Sequence, residues 1–224
     1  MCVPGAYPGG RDASDRRAVL TGIGDCLGAV HPLRAYAHGQ TDAEVAMFDV
    51  DEFVAECHVA RADGEPILAI KDIVDRVVAG PGSVAKALSA EPGVEVLHRS
   101  AELTVLNVVV PCGSHPVLPH DHRMWALVGV YGGQEDNRFF RRAEHGLSES
   151  GGRSLMVSDS LAMGDDTIHS IGNPLAHSAL AAIHVYGGDL LAAERSMWIE
   201  PGYEEQPYDA SRVVGRGGFR DPRQ

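Results

Sequence analysis

Aromatic residues are scarce in this 224-residue chain, 6% of the total with only two tryptophans, so its core must rest mainly on Val, Leu, Ile and Ala. No apolar run approaches the roughly 18 residues that a membrane-spanning helix needs. The first residues lack a charged segment followed by a long apolar stretch, so no secretory signal is expected. Basic residues are outnumbered, 19 against 31 acidic ones, for a formal net charge of −12. A duplex-binding protein needs a basic face to displace counterions, so nucleic acid is not an expected partner, and neither is a membrane. The four cysteines, at 2, 26, 57 and 112, show no CxxC or other metal-ligand spacing. Reduced thiols and a cytoplasmic location are the simplest expectation.

What is present fits one globular domain. Hydrophobic residues make up 44%, and the 26 glycines and 13 prolines are spread along the chain as turns between short strands require. Residues 1–40 hold no sustained period and stand as an N-terminal extension without an assigned role. Residues 41–210 read as a single domain, with a helical part (41–90) and a β-barrel (93–200). Residues 211–224 form a C-terminal tail; from Arg212 to Arg223 four arginines face one aspartate, a solvated end.

The period changes once. "TDAEVAMFDVDEFVAECHVARADG", from Thr41, places Phe53, Val54, Cys57 and Ala60 on one helical face, and "PILAIKDIVDRVVAGPG" repeats Ile67, Ile70, Val74 and Val77 at helical spacing. A short third helix is expected over 83–89. After Pro92 the period is two. "VEVLHRS", "LTVLNVVV", "WALVGVYGG", "NRFFRRA", "SLMVS", "DTIHSI", "ALAAIHVYGG" and "RSMWIE" are β-rich runs separated by Gly, Pro, Asp or Ser. Eight such strands predict an antiparallel sandwich or barrel, so the fold class is mainly β with a few N-terminal helices.

Histidines mark the candidate site. In "PHDHRMWALVGVYGG" an extended backbone turns His120 and His122 one way and Asp121 the other, a ready pair of metal ligands. Surface HxH pairs are common, and this one alone carries little. In "GDDTIHSIGNP" His169 points the same way as Thr167 and Ile171, where an inward imidazole needs a hydrogen-bond partner or a metal. A satisfied core histidine is the commoner reason for such a residue.

Together, "GSHPVLPHDH" and "GDDTIHSIGN" resemble the two motifs of the cupin superfamily: Gly, a gap and HxH, then Gly, a gap and a His with Asn four residues on. The resemblance implies a cupin-type double-stranded β-helix (jelly-roll barrel) with His120, His122 and His169 as metal ligands. The acidic ligand usual after HxH is missing; the first acid after His122 is Glu135. Three histidines without a carboxylate are similar to the cysteine dioxygenase group of thiol dioxygenases. "AIHVYGG" adds to the likeness, because those enzymes carry a Ser-x-His-x-Tyr motif that matches here at His184 and Tyr186, with Ala182 in place of the serine.

That likeness implies a non-haem Fe(II), O₂-dependent oxidation of a small thiol (cysteine- or mercapto-acid-like) to a sulfinate, with Zn, Mn or Ni ranked behind iron. Tyr186 and His184 are then the catalytic pair, Tyr186 donating to bound oxygen or substrate carboxylate and His184 orienting it. Arg99 is the expected carboxylate-binding residue, with Arg142 and Arg123 as rivals and Trp125 as a pocket wall. The implied partners are a small-molecule substrate and O₂, and an exposed sheet face would suit a homodimer. Two other readings stay open: a cupin that binds a ligand or metal without turnover, and a three-histidine cupin using Zn, Mn or Ni for isomerase or hydrolase chemistry.

Overall fold

The computed structural model describes residues 47–213 and 219–220; the extension over 1–40 lies outside the described residues. Among the described residues three helices come first: α1 (Val50–Ala60), α2 (Pro66–Val78) and α3 (Pro81–Ala87). The start of α1 is set by chemistry rather than by apolar period. Asp49 caps it by accepting the Glu52 amide at 2.9 Å, so α1 begins at Val50, and positions 41–46 of the expected helical stretch lie outside the described residues. Prolines open α2 and α3, where the missing N–H costs nothing. Cys57 is a free, buried thiol pushed up to about 12 by burial, whereas Cys112 is disulfide-bonded. The expectation of reduced cysteines therefore holds for Cys57 and not for Cys112.

Twelve strands follow: β1 (Gly93–Arg99), β2 (Thr104–Val110), β3 (His120–Asp121), β4 (Ala126–Gly132), β5 (Gln134–Arg142), β6 (Leu147–Met156), β7 (Ser160–Met163), β8 (Ile168–Gly172), β9 (Leu180–Tyr186), β10 (Ser196–Ile199), β11 (Glu204–Pro207) and β12 (Phe219–Arg220). A short helix, α4 (Ala210–Val213), precedes the last. They form two six-stranded sheets, ordered β12-β1-β2-β9-β4-β7 and β11-β10-β3-β8-β5-β6. This is the mainly β, double-stranded β-helix architecture. Pairing is antiparallel except where β12 joins β1 in parallel. Phe219 and Arg220 thus belong to a sheet, and Arg220 donates to the Glu91 carbonyl at 2.9 Å, which corrects the solvated-tail expectation for those two residues.

The first sheet is buried on both faces, which is why β4 and β9 read as nearly continuous apolar runs. Leu127, Tyr131, Ile183 and Val185 face the helices and pack with Ile70, Val74 and Val78. Ala126, Val128, Val130, Ala182 and Tyr186 face the barrel interior. At Gly129 the helix approaches so closely that a Cβ would lie 2.5 Å from Val74 Cγ1 and 2.8 Å from Val78 Cγ1. Strand alternation then leaves His184 on the interior face with Ala182 and Tyr186.

Candidate metal centre

The three histidines meet because two short strands pair at one register. β3 lies against β8 with His120 directly opposite His169, and His122 follows on the same face as His120. Asp121 points the other way, accepting from the Ser196 amide at 2.8 Å and pairing with Arg123. One ligand atom from each of His120, His122 and His169 lies within 4.8 Å of the others, and all three residues are buried.

Hydrogen bonds orient two of these rings. His169 Nδ1 donates to Asn137 Oδ1 at 2.8 Å, and His120 Nδ1 donates to the Leu118 carbonyl at 2.9 Å. Both Nε2 lone pairs are thereby left for the centre of the cluster. His122 Nε2 stands 3.3 Å from His169 Nε2, and His122 Nδ1 is buried without a hydrogen-bond partner. Nitrogens bound at about 2.0–2.1 Å to one ion stand roughly 2.8–3.0 Å apart at right angles and roughly 3.3–3.4 Å apart at tetrahedral angles, so the spacing fits a shared metal.

Electrostatics agree. Burial lowers the pKa of His120 to about 4, against a smaller opposing effect of its bond to Leu118. Burial, then the neighbouring imidazoles, hold His122 and His169 well below the usual histidine range. All three are neutral at pH 7 and able to ligate. Among the described residues no carboxylate joins the cluster.

The cluster opens on a cavity of about 510 Å³ whose apolar wall includes Leu106, Val108 and Leu190. His184 and Tyr186 also line it, joined by a 3.0 Å bond between His184 Nδ1 and the Tyr186 hydroxyl. The Tyr186 ring meets His122 edge-on at 5.0 Å, and burial raises its pKa. So the structure brings together His120, His122, His169, His184 and Tyr186.

Four residues expected at the substrate site, Arg99, Arg142, Arg123 and Trp125, do not line this cavity. Arg99 reaches Asp189 with two bonds, at 2.8 and 3.0 Å, and is not part of the cavity wall. Arg142 pairs with Glu205 and lies over the Trp198 ring, and Arg123 pairs with Asp121. Trp125 packs with the helix-side core and against Gly187. Each of the three arginines is thus paired with an acid. The buried cation on the cavity wall is Arg195, 8% exposed, at the start of the β10–β11 hairpin. Its guanidinium stacks on Tyr208 at 3.7 Å, and its Nε has no hydrogen-bond partner among the described residues. No local signal singled it out, because its place depends on a hairpin folding back beside His120. Tyr208 is bonded to the Arg195 carbonyl at 2.9 Å and lies 5.9 Å from the His120 ring.

A second omission is Glu135. It is fully buried on β5, with Asn137 donating to its Oε1 at 2.9 Å and its Oε2 3.5 Å from His184 Nε2. The sequence did carry a clue: in "QEDNRFF" an acid alternates with Asn137 and Phe139, and so shares their inward face.

No family model matches the chain. It is similar to an RmlC-like cupin family protein with a double-stranded β-helix fold from Methanocaldococcus jannaschii, at 12% identity and a TM-score of 0.38, over 46% of this chain and 85% of that one. It is similar to an uncharacterised conserved protein with a double-stranded β-helix domain from Klebsiella pneumoniae, at 14% identity and 0.38, over 72% and 98%. KdgF from a Halomonas species matches at 18% identity and 0.34, over 45% and 85%.

Proposed function

We propose that this chain is a cupin-type, metal-dependent oxidoreductase that uses O₂ to oxidise a small anionic thiol to a sulfinate. The observation that supports this reading most is the convergence of three neutral imidazoles, with no carboxylate among them, on a cavity walled by a buried guanidinium. His120, His122 and His169 would hold Fe(II) with its full positive charge, and the bound iron supplies the site at which thiolate and O₂ react. The reaction balances without a further reductant: both atoms of O₂ end on sulfur, which loses four electrons, and the thiol proton is released.

The chain's own residues would bind and orient. Arg195, held flat against Tyr208, would take the substrate's carboxylate in a charge-assisted pair. Leu106 and Val108 would cover the substrate's apolar body and exclude water. Tyr186, tied to His184, would meet the polar end of the substrate beside His122.

A second reading is favoured by one distance. The 3.3 Å spacing of two Nε2 atoms is that of tetrahedral ligands, as zinc prefers, and zinc would give hydrolase or isomerase chemistry. Metal analysis of protein purified anaerobically, then O₂ uptake after Fe(II) loading with a panel of small thiol acids, separates the two. Near-stoichiometric iron with thiol-dependent O₂ uptake, both lost in His169→Ala, supports the dioxygenase. Tightly held zinc and no uptake on any thiol supports the second reading.

A further inference from the structure

We propose that Glu135 is the positioning residue of the His184–Tyr186 pair, the terminal acceptor of a buried hydrogen-bond chain that turns the Tyr186 oxygen toward the cavity as an acceptor. The inference concerns the chain's own protons and stands whichever substrate or metal the site takes.

Two orphaned atoms motivate it. Glu135 Oε2 and His184 Nε2 are both buried, neither has a hydrogen-bond partner, and they face each other at 3.5 Å. Among the described residues, each is the partner the other has available. Leaving both unpaired would carry the full desolvation penalty of each atom, so a closure of a few tenths of an ångström is favoured. Ala182, two residues before His184 on the same face, brings no hydroxyl to this ring. Glu135 reaches it instead from the opposite sheet.

The direction of each bond follows from what each atom can do. Both Glu135 oxygens face nitrogens, Asn137 Nδ2 and His184 Nε2, and a carboxylate oxygen accepts from such donors. Asn137 Nδ2 donates to Glu135 Oε1, and this fixes the amide orientation, because Asn137 Oδ1 is already occupied by His169 Nδ1–H. On the other arm His184 must carry its proton on Nε2 to donate to Glu135 Oε2. A neutral ring then has a bare Nδ1, which accepts the Tyr186 hydroxyl proton at 3.0 Å. Both arms run downhill to one buried carboxylate, and the tyrosine offers lone pairs to whatever lies in the cavity. Sequence likeness implies a donating Tyr186; this geometry assigns it the opposite polarity.

The isosteric variant Glu135→Gln makes the proposal sharp. Its single oxygen is claimed by Asn137, so its NH₂ faces His184 Nε2, which must then accept. The ring proton moves to Nδ1, bonds to the tyrosine oxygen, and frees the Tyr186 O–H for the cavity. The test is ¹⁵N ring NMR of histidine-labelled full-length protein at neutral pH, with His184 assigned by its loss in His184→Asn. The expected wild-type ring is the neutral Nε2–H tautomer, switching to Nδ1–H in Glu135→Gln. Zinc affinity by competition should change less than about threefold in the same variant, since the Asn137–His169 arm is untouched. A wild-type His184 that is Nδ1–H or doubly protonated overturns the proposal, and that spectrum needs no variant to fold. An unchanged tautomer in folded Glu135→Gln overturns it equally.

Discussion

Asn137 and His169 stand on adjacent strands of one sheet, β5 and β8, and the 2.8 Å bond between them decides which nitrogen of the ring faces the metal cluster. Asn137 is itself buried and is held by Glu135, so its amide has no freedom to turn. Replacing it with leucine keeps volume and burial but removes the acceptor, letting His169 turn or change tautomer. Asn137→Leu should lower zinc affinity about 10–100-fold, the usual effect of losing a ligand's outer partner. Competition against a chromophoric chelator measures it, and unchanged affinity would show that packing against Phe139 alone orients the ring.

Arg195 and Arg99 make a clean contrast. The first lies buried on the cavity wall and the second is tied to Asp189 away from it. Arg195→Met should raise KM for a carboxylate-bearing thiol by about 10–100-fold, the worth of one charge-assisted contact, with metal content unchanged. Arg99→Ala should leave KM within about twofold. Equal effects of the two would move the anion site off the cavity.

The metal-free protein should lose stability on mild acidification. Histidine titrates near 6.5 when unfolded, but burial lowers His120 to about 4 and holds His122 and His169 well below the usual histidine range. Between those values the unfolded chain binds protons that the folded one refuses. Stability is therefore full above pH 6.5 and falls as pH drops toward about 4, by about 1.4 kcal/mol per unit for each such residue. Urea midpoints from pH 7.5 to 4.5 should decline, with a shallower slope in His120→Asn. A flat profile would mean the imidazoles are solvated in solution.

Gly129 tests the seat of the helices on the barrel. A methyl group there meets Val74 and Val78 well inside van der Waals contact, on a helix and sheet that are both packed. Gly129→Ala should cost about 1–3 kcal/mol through overpacking and lower the melting temperature by several degrees. Zinc stoichiometry should be unaffected, since the metal cluster lies across the sheet. A neutral substitution would show that α2 can shift outward without penalty.

Local chemistry by itself determines much of this protein. Alternation along an extended backbone put His120 with His122, and His184 with Tyr186, on shared faces, and the change from helical to two-residue period after Pro92 separated helices from barrel. These are properties of neighbouring residues, set by backbone geometry over a few ångströms. What the tertiary structure decided is which faces meet. β3 is two residues long and β12 likewise, too short for any period to announce, yet the first carries His120 into register with His169 and the second extends a sheet. Arg195 replaced Arg99 at the cavity because a hairpin late in the chain folds beside His120, while Arg99 found Asp189, 90 positions away. Glu135 reached His184 from the opposite sheet. Each of these depends on strand order and pairing register, which come from burying the whole set of apolar faces at once.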